Sequence, residues 1–380
     1  MYAVESLALV DHTGSIQLDA HVDIDEGKRT KLEDFVLDSR WNPAGAVTTA
    51  IRSTSRPRSA WRARACTQAN NAVSSGSPMS HEPRTGILLV AHGTVASIAD
   101  LPAFLARIRH GRQAPPGLLA ELTRRYEAIG GSPLLRITEE QARALESRTG
   151  LPVLLGMRLW EPSVESAFRE AARRGITRLA LLPLAPFSVE VYGEAARRSL
   201  ESVRAELAEA TPELVICDPW GTEPAFVEAH CAALRAPLRI DSRESGVVLT
   251  AHSLPRAAIR AGDRYQAEVE ASAQAIAARL DRPCELAYQS QGADGGEWLG
   301  PDLRRTFERL AAAGVRQITL SPFGFLADHV ETLYDLDIEA RAWATALGLG
   351  FERVPALNTA AGLIDALSSV AQRALVASSG

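Results

Sequence analysis

The sequence predicts an α/β fold made of two similar Rossmann-like domains, each a four-stranded parallel sheet flanked by helices, related by internal duplication. Three observations carry this. Short, almost continuous apolar runs recur after residue 85, as expected of strands buried on both faces. Segments with a helical apolar period separate them, and strands alternating with helices build a parallel sheet. Segments of the two halves also match each other in register.

The strand-like runs fall at 86–91, 152–158, 178–184 and 213–217, then at 246–251, 284–289, 316–321 and 349–354, four in each half. After the first run, Leu118, Leu119, Leu122, Tyr126 and Ile129 form an apolar helical stripe that stops at Gly130-Gly131. The duplication is clearest before the third strand of each half. Pro162, Phe168, Gly175 and Pro183 are matched in register by Pro301, Phe307, Gly314 and Pro322. A glycine before a strand is common to any pair of strand–helix units; the phenylalanine and both prolines in step argue for duplication. The first strands correspond too, Leu88-Leu-Val-Ala-His92-Gly with Val248-Leu-Thr-Ala-His252-Ser. The expected domains are 83–190 and 191–357, with a C-terminal helix at 358–376 completing the first.

The stretch 1–82 differs. It lacks sustained apolar periodicity and contains Arg52-Ser-Thr-Ser-Arg56-Pro-Arg58 and Asn70-Asn71-Ala-Val-Ser-Ser-Gly-Ser-Pro78. Such composition cannot bury enough surface to fold alone, which predicts either a disordered tail or a misassigned start, with Met79 just ahead of the first convincing strand. No basic region leads an apolar one, against a signal peptide. The early acids Asp11, Asp19, Asp23, Asp25 and Glu26 argue against a transit peptide.

Composition excludes several classes. The chain has 380 residues, 46% hydrophobic, with a net charge of −5, so no global basic character attracts nucleic acid. No apolar run reaches the roughly 18 residues of a membrane-spanning helix. The four cysteines, Cys66, Cys217, Cys231 and Cys284, are scattered, form no C-x-x-C, and read as reduced thiols of a cytoplasmic protein.

Two features point to chemistry. In open α/β sheets, ligands bind beyond the carboxyl ends of the strands, and His92 and His252 each end the first strand of a half. Two such domains face to face would bring both imidazoles into one cleft. A histidine in that place is often only a hydrogen-bonded structural residue; the paired placement favours function. The second feature is the segment His329-Val-Glu331-Thr-Leu-Tyr-Asp335-Leu-Asp337-Ile-Glu339, which follows a strand. On a helix, Glu331, Asp335 and Glu339 form one row at four-residue spacing, where like charges repel and shift one another's proton affinities. A solvated helix face is the plainer reading, but this row begins where the cleft is expected.

These residues strongly resemble the ferrochelatase family. Thr250-Ala-His252-Ser-Leu-Pro255 is similar to the family signature around its catalytic histidine. Gly324-Phe-Leu-Ala-Asp-His329-Val-Glu331-Thr-Leu-Tyr-Asp335 is similar to the signature that carries its catalytic glutamate. Tyr288-Gln-Ser-Gln, Trp298-Leu-Gly-Pro-Asp302, and Arg125-Tyr-Glu-Ala-Ile-Gly-Gly-Ser132 add further matches, so the resemblance runs from about Gly86 to the C-terminus. It implies two similar α/β domains around a porphyrin cleft, and a lyase of haem biosynthesis that inserts ferrous iron into a porphyrin. Arg109-His110-Gly-Arg112 and the Arg125 and Ser132 pieces look most like the branch that uses coproporphyrin III; protoporphyrin IX is the alternative substrate. Two departures stand out: His92 replaces the usual tyrosine of that branch, and the loop from Pro183 to Tyr192 looks shorter than is usual.

The resemblance implies His252 and Glu331 as catalytic and metal-handling groups. His92, Asp335 and Glu339 are further candidates for the metal. Arg109, Arg112, Arg125, Ser132, Tyr192 and Trp298 are candidates for binding the porphyrin, the arginines through its carboxylates. Phe187, with Tyr192 and Trp298, is a candidate wall for the ring. Porphyrin and Fe²⁺ are substrates, no cofactor is permanently bound, and no iron–sulfur cluster is expected. Transient contact with other enzymes of the haem pathway is compatible with this role. Two other classes compete: a sirohydrochlorin-type cobalt or iron chelatase, which the Ala91-His92-Gly93 run suits, and a non-catalytic haem carrier, which has no use for the acidic row.

Overall fold

The computed structural model describes residues 84–377, except 110, 112, 113, 115, 239–243 and 293–295, together with the backbone of four short strands before residue 84. The chain divides into two compact units, Met1–Pro78 and Met79–Gly380. In the first, β1 (Leu7–Val10) pairs antiparallel with β2 (Ile16–Asp19), and β3 (Phe35–Trp41) with β4 (Val47–Ser53). The rest of 1–83, on which the expectation of a disordered tail or misassigned start falls, lies outside the described residues.

The second unit carries both sheets. Its first half runs β5 (Thr85–Ala91), α1 (Leu101–Ile108), α2 (Leu118–Ala128), α3 (Leu134–Thr149), β6 (Val153–Met157), α4 (Val164–Arg173), β7 (Arg178–Pro183), α5 (Val189–Leu207), β8 (Glu213–Ile216) and α6 (Pro224–Arg235). Its second half runs β9 (Ser245–His252), α7 (Arg256–Arg260), α8 (Tyr265–Leu280), β10 (Cys284–Gln289), α9 (Leu303–Ala312), β11 (Gln317–Ser321), α10 (Val330–Leu333), a turn of π-helix (Asp335–Ala340), α11 (Arg341–Ala346), β12 (Gly350–Arg353) and α12 (Ala361–Ala377). Every strand pair is parallel. The sheets have the same topology, β6-β5-β7-β8 and β10-β9-β11-β12.

The likeness extends to single bonds. Met157 N–H donates to the Pro162 carbonyl at 2.6 Å, and Tyr288 N–H donates to the Pro301 carbonyl at 2.9 Å. Ser163 caps α4 by accepting from Ser166 N–H, and Asp302 caps α9 by accepting from Arg305 N–H. Each such cap contributes about 1 kcal/mol.

The strands are apolar throughout because both faces are covered. In β5, Ile87 and Leu89 pack towards α3 and α12, while Leu88 and Val90 pack against Phe168 of α4 and Leu200 of α5. In the second sheet, Val247, Leu249 and Ala251 meet Val269 and Ile276 of α8; Val248, Ile318 and Leu320 meet Phe307 of α9 and Ala344 of α11. Each fully buried leucine or phenylalanine contributes roughly 1.5–3 kcal/mol.

The expected boundary at 190/191 is corrected. It falls inside α5, and β8 pairs with β7, so the first sheet ends only at Ile216. The strand closing this sheet returns after a long helix, and a boundary drawn at the end of the third strand cuts it off. The final helix, expected at 358–376, is α12, whose Leu363, Leu367 and Val370 belong to the core of the first half.

Candidate active site

The carboxyl ends of both sheets supply the candidate groups. His252 is the last residue of β9, and its ring is partly exposed. The backbone around it is held tightly. Tyr265 Oη donates to the His252 carbonyl at 2.8 Å, Ser253 N–H donates to the Gln289 carbonyl at 2.7 Å, and Ser253 Oγ donates to the Leu299 carbonyl at 2.9 Å. His252 Nδ1 stands 2.5 Å from the Ser253 carbonyl oxygen. Only a protonated Nδ1 can bond that acceptor, which leaves the Nε2 lone pair of the neutral ring free.

Glu331 reaches this lone pair from α10. Gly324 makes the approach possible: a Cβ there would stand 2.7 Å from Ala251 Cβ, so glycine lets the chain leaving β11 cross the end of β9. His329 then precedes α10, with its N–H donating to Thr332 Oγ1 at 2.9 Å. Glu331 Oε2 lies 3.6 Å from His252 Nε2 and 3.9 Å from His329 Nε2. The Glu331 carbonyl accepts from Gln289 Nε2 at 2.8 Å, and Gln289 Oε1 accepts from Thr250 Oγ1 at 3.0 Å. The ends of β9 and β10 are thereby tied to the start of α10. Burial disfavours the Glu331 charge, but His252, His329 and His92, with the Ser290 hydroxyl, outweigh it and hold the carboxyl below its ordinary range.

His92 comes from the other half, directly after β5. His92 is exposed at the surface, yet the protein packed around it makes burial the largest influence on its proton affinity, pushing it down to about 4. Glu331 opposes this shift; Arg158, His252 and His329 add to it. His92 is therefore neutral at pH 7, a lone-pair donor rather than a cation. Its carbonyl accepts from Leu159 N–H at 3.0 Å, so the end of β6 braces the turn.

The acidic row is present, but its helix is not regular. Both Ile338 N–H and Glu339 N–H donate to the Tyr334 carbonyl, at 3.1 Å each, and the turn widens to π geometry, which often marks functional sites. Asp335 Oδ2 accepts from Ser290 Oγ at 2.5 Å, and its Oδ1 accepts from Arg125 Nη1 at 2.8 Å. Burial raises Asp335 first and the Glu331 charge adds to it; against Ser290 and Arg125 they still carry it up to about 7. Glu339 lies 3.7 Å from Arg125 Nη2. The row thus holds an ionised Glu331 beside a carboxyl that exchanges its proton near neutrality.

The other candidates scatter more. Arg125 presents no free fork to a substrate: Glu121, Asp335 and Glu339 converge on it, and Tyr334 lies beneath it at 4.9 Å. Arg109 is half-buried at the end of α1, and Arg112 lies outside the described residues. Ser132 Oγ accepts from Leu134 N–H at 3.4 Å at the start of α3. Tyr192 is half-buried in α5 with the Arg158 guanidinium 5.6 Å from its ring. The Trp298 ring covers Gly292, where a Cβ would come within 2.6 Å of it. Phe187 is a core residue, between Tyr265 and Phe323 at 6.0 and 5.7 Å, and does not wall a cleft. Burial pushes the Cys217 and Cys284 thiols up to about 12.

Four residues at the site escape the sequence reading: His329, Gln289, Ser290 and Arg158. The first three sit inside the motifs around Glu331 and Tyr288, so their proximity in sequence was an available signal. Arg158 carries only its place at the end of a strand. Among the described residues, no helix is long and apolar enough to cross a membrane.

Comparison with known proteins agrees with this geometry. The ferrochelatase family model matches residues 84–375. The chain is 35% identical over 320 residues to a ferrochelatase of Acidobacterium capsulatum, covering 77% of this chain and 95% of the relative. It is 32% identical over 308 residues to a coproporphyrin III ferrochelatase of Oceanobacillus iheyensis, covering 76% and 96%. Among solved structures, SirB from Bacillus subtilis with Fe3+ aligns at 15% identity and a TM-score of 0.49, over 78% of this chain and 98% of that one. With the family model spanning both sheets and the relatives aligned over nearly their whole length, this chain belongs to the ferrochelatase family, lyases that act as porphyrin metal chelatases.

Proposed function

We propose that this enzyme inserts ferrous iron into coproporphyrin III in preference to protoporphyrin IX, with His252 and Glu331 as its catalytic groups, working in the cytoplasm. The observation that carries the reading is the 3.6 Å approach of His252 Nε2 to Glu331, with a neutral His92 supplied by the opposite half. Insertion must remove two pyrrole N–H protons as the metal enters. His252, its Nδ1–H held by a backbone carbonyl, offers Nε2 as the base. Glu331 stabilises the resulting imidazolium and attracts Fe²⁺, which oxygen donors bind without holding it as thiolates would. Asp335, near neutrality in its proton affinity, can take protons onward towards Glu339. His92 is the proposed contact to the metal from the other half.

The preference for coproporphyrin III rests on the relatives that bear that name and on cationic groups in the first half. Arg109, Arg112 and Arg158 are the proposed contacts for the substrate carboxylates. No resident cofactor is proposed. The test is iron incorporation by purified enzyme with coproporphyrin III, protoporphyrin IX and sirohydrochlorin side by side. Coproporphyrin III is expected to give the highest kcat/KM. A higher value for protoporphyrin IX overturns the preference alone; turnover of sirohydrochlorin only overturns the reading.

A further inference from the structure

Around the acidic segment lies a second charged cluster, separate from the bonds of Asp335 to Ser290 and Arg125, that the reaction does not require. Arg353, the last residue of β12, has a side chain only 7% exposed. Its Nη1 donates to Asp328 Oδ1 at 2.8 Å, while Nε and Nη2 donate to the two oxygens of Asp337 at 2.8 and 2.6 Å. One guanidinium therefore bridges Asp328, ahead of Glu331, and Asp337, after Asp335. Asp328 is saturated: it also accepts from Thr332 Oγ1 at 3.1 Å and from Asn358 Nδ2 at 2.8 Å, and its N–H donates to Asn358 Oδ1 at 2.9 Å. Thr332 Oγ1 in turn receives the His329 N–H. An unbroken chain of hydrogen bonds runs from Arg353 through Asp328 and Thr332 to His329, two residues ahead of Glu331.

We infer that Arg353 is a positioning residue for metal insertion, its clamp on Asp328 and Asp337 holding Glu331 at its distance from His252. This rests on the reading of Glu331 as a catalytic group. A short, buried, bidentate pair is a rigid one, whereas a lone helix of four residues such as α10 has little rigidity of its own. The clamp grips the segment ahead of α10, at Asp328, and within the π-turn, at Asp337, so losing it would let α10 and the turn shift together. A misplacement of about 1 Å can cost on the order of 100-fold in rate. Lysine cannot replace arginine here, because an ammonium cannot bridge two carboxylates with a planar fork.

The test compares Arg353→Lys, Asp337→Asn, Glu331→Gln and the Arg353→Lys/Glu331→Gln double variant. All are assayed with coproporphyrin III and Fe²⁺ at a temperature where circular dichroism shows each fully folded. Arg353→Lys and Asp337→Asn are expected to lower kcat about 10- to 100-fold with KM for the porphyrin within about twofold of the parent. Because the clamp acts through Glu331, the double variant should be no slower than Glu331→Gln alone. Folded Arg353→Lys and Asp337→Asn proteins with parental kcat, or fully additive losses in the double variant, overturn the inference. A fully active Glu331→Gln instead removes the reading on which it rests.

Discussion

His252 Nε2 and Glu331 Oε2 lie 3.6 Å apart, the first from the end of a sheet strand and the second from a short helix. That distance exceeds a hydrogen bond, so in the resting site the two are electrostatic partners. A proton arriving on Nε2 would complete an ion pair. His252→Ala is expected to lower kcat by about two orders of magnitude, the usual worth of a positioned acid–base group. Glu331→Gln keeps the shape but removes the charge, and should cost a similar factor while porphyrin affinity, read by fluorescence quenching, stays nearly unchanged. Equal losses in affinity and kcat would mean that Glu331 binds the ring instead.

His92 stands on the other half and is held neutral by burial, with Glu331 opposing that shift and Arg158 reinforcing it. A neutral imidazole can ligate iron or yield to another ligand without upsetting the charge of the site. His92→Tyr should therefore stay active, and His92→Ala should lose less kcat than His252→Ala. If His92 ligates the metal, the metalloporphyrin product bound to His92→Tyr should show a changed visible spectrum, since a nitrogen donor would be replaced by oxygen. A dead His92→Ala beside a nearly normal His252→Ala would exchange the roles of the two histidines.

Much of this was legible in the sequence, for physical reasons. Parallel strands buried on both faces are apolar throughout, so all eight in the second unit stand out as runs, and their duplication follows from Pro162, Phe168 and Gly175 repeating as Pro301, Phe307 and Gly314. His252 and Glu331 were visible because strand ends are where such sheets bind ligands. Illegible features depend on distant partners. Arg125 looks like a substrate ligand until Asp335, 210 residues away, is seen to occupy it. Arg353 reads as an ordinary polar strand end, and nothing local shows that it meets Asp328 and Asp337. The π-turn has no sequence period of its own. The boundary at 190 failed because the strand that completes the first sheet comes after the 19-residue α5.

His230 offers a test remote from the chemistry. It is fully buried between Phe226 and Phe323, its Nε2 has no hydrogen-bond partner, and burial pushes it down to about 3. In the unfolded chain it titrates at its ordinary value of 6.5. The unfolded state therefore binds the extra proton first, and stability is lost as pH falls below 6.5. At pH 5 the loss is about 2 kcal/mol. His230→Leu removes the titrating group while keeping the site apolar. The drop in Tm between pH 7.5 and pH 5 should shrink by roughly 4 °C in this variant. An unchanged drop would mean that His230 is not what links stability to acid.

Asp335 carries the opposite sign. Burial, then the Glu331 charge, raise it from 3.8 to about 7 in the folded protein, although Ser290 and Arg125 pull the other way. The folded state holds this proton more tightly than the unfolded chain. Its contribution to stability is thus full below pH 3.8 and is lost progressively as pH rises through 7. Asp335→Asn is permanently neutral, so it should raise Tm at pH 8 relative to the parent, with the gain disappearing towards pH 4. Activity should move the other way. If Asp335 accepts protons from the His252–Glu331 pair, it works only when ionised, and the parent's kcat should fall on the acid side with an apparent pKa near 7. In Asp335→Asn that limb should vanish and kcat at pH 8 should drop by about tenfold or more. A variant that keeps both the limb and the rate would show that protons leave by another route, and that the buried Asp335 serves only to anchor Arg125.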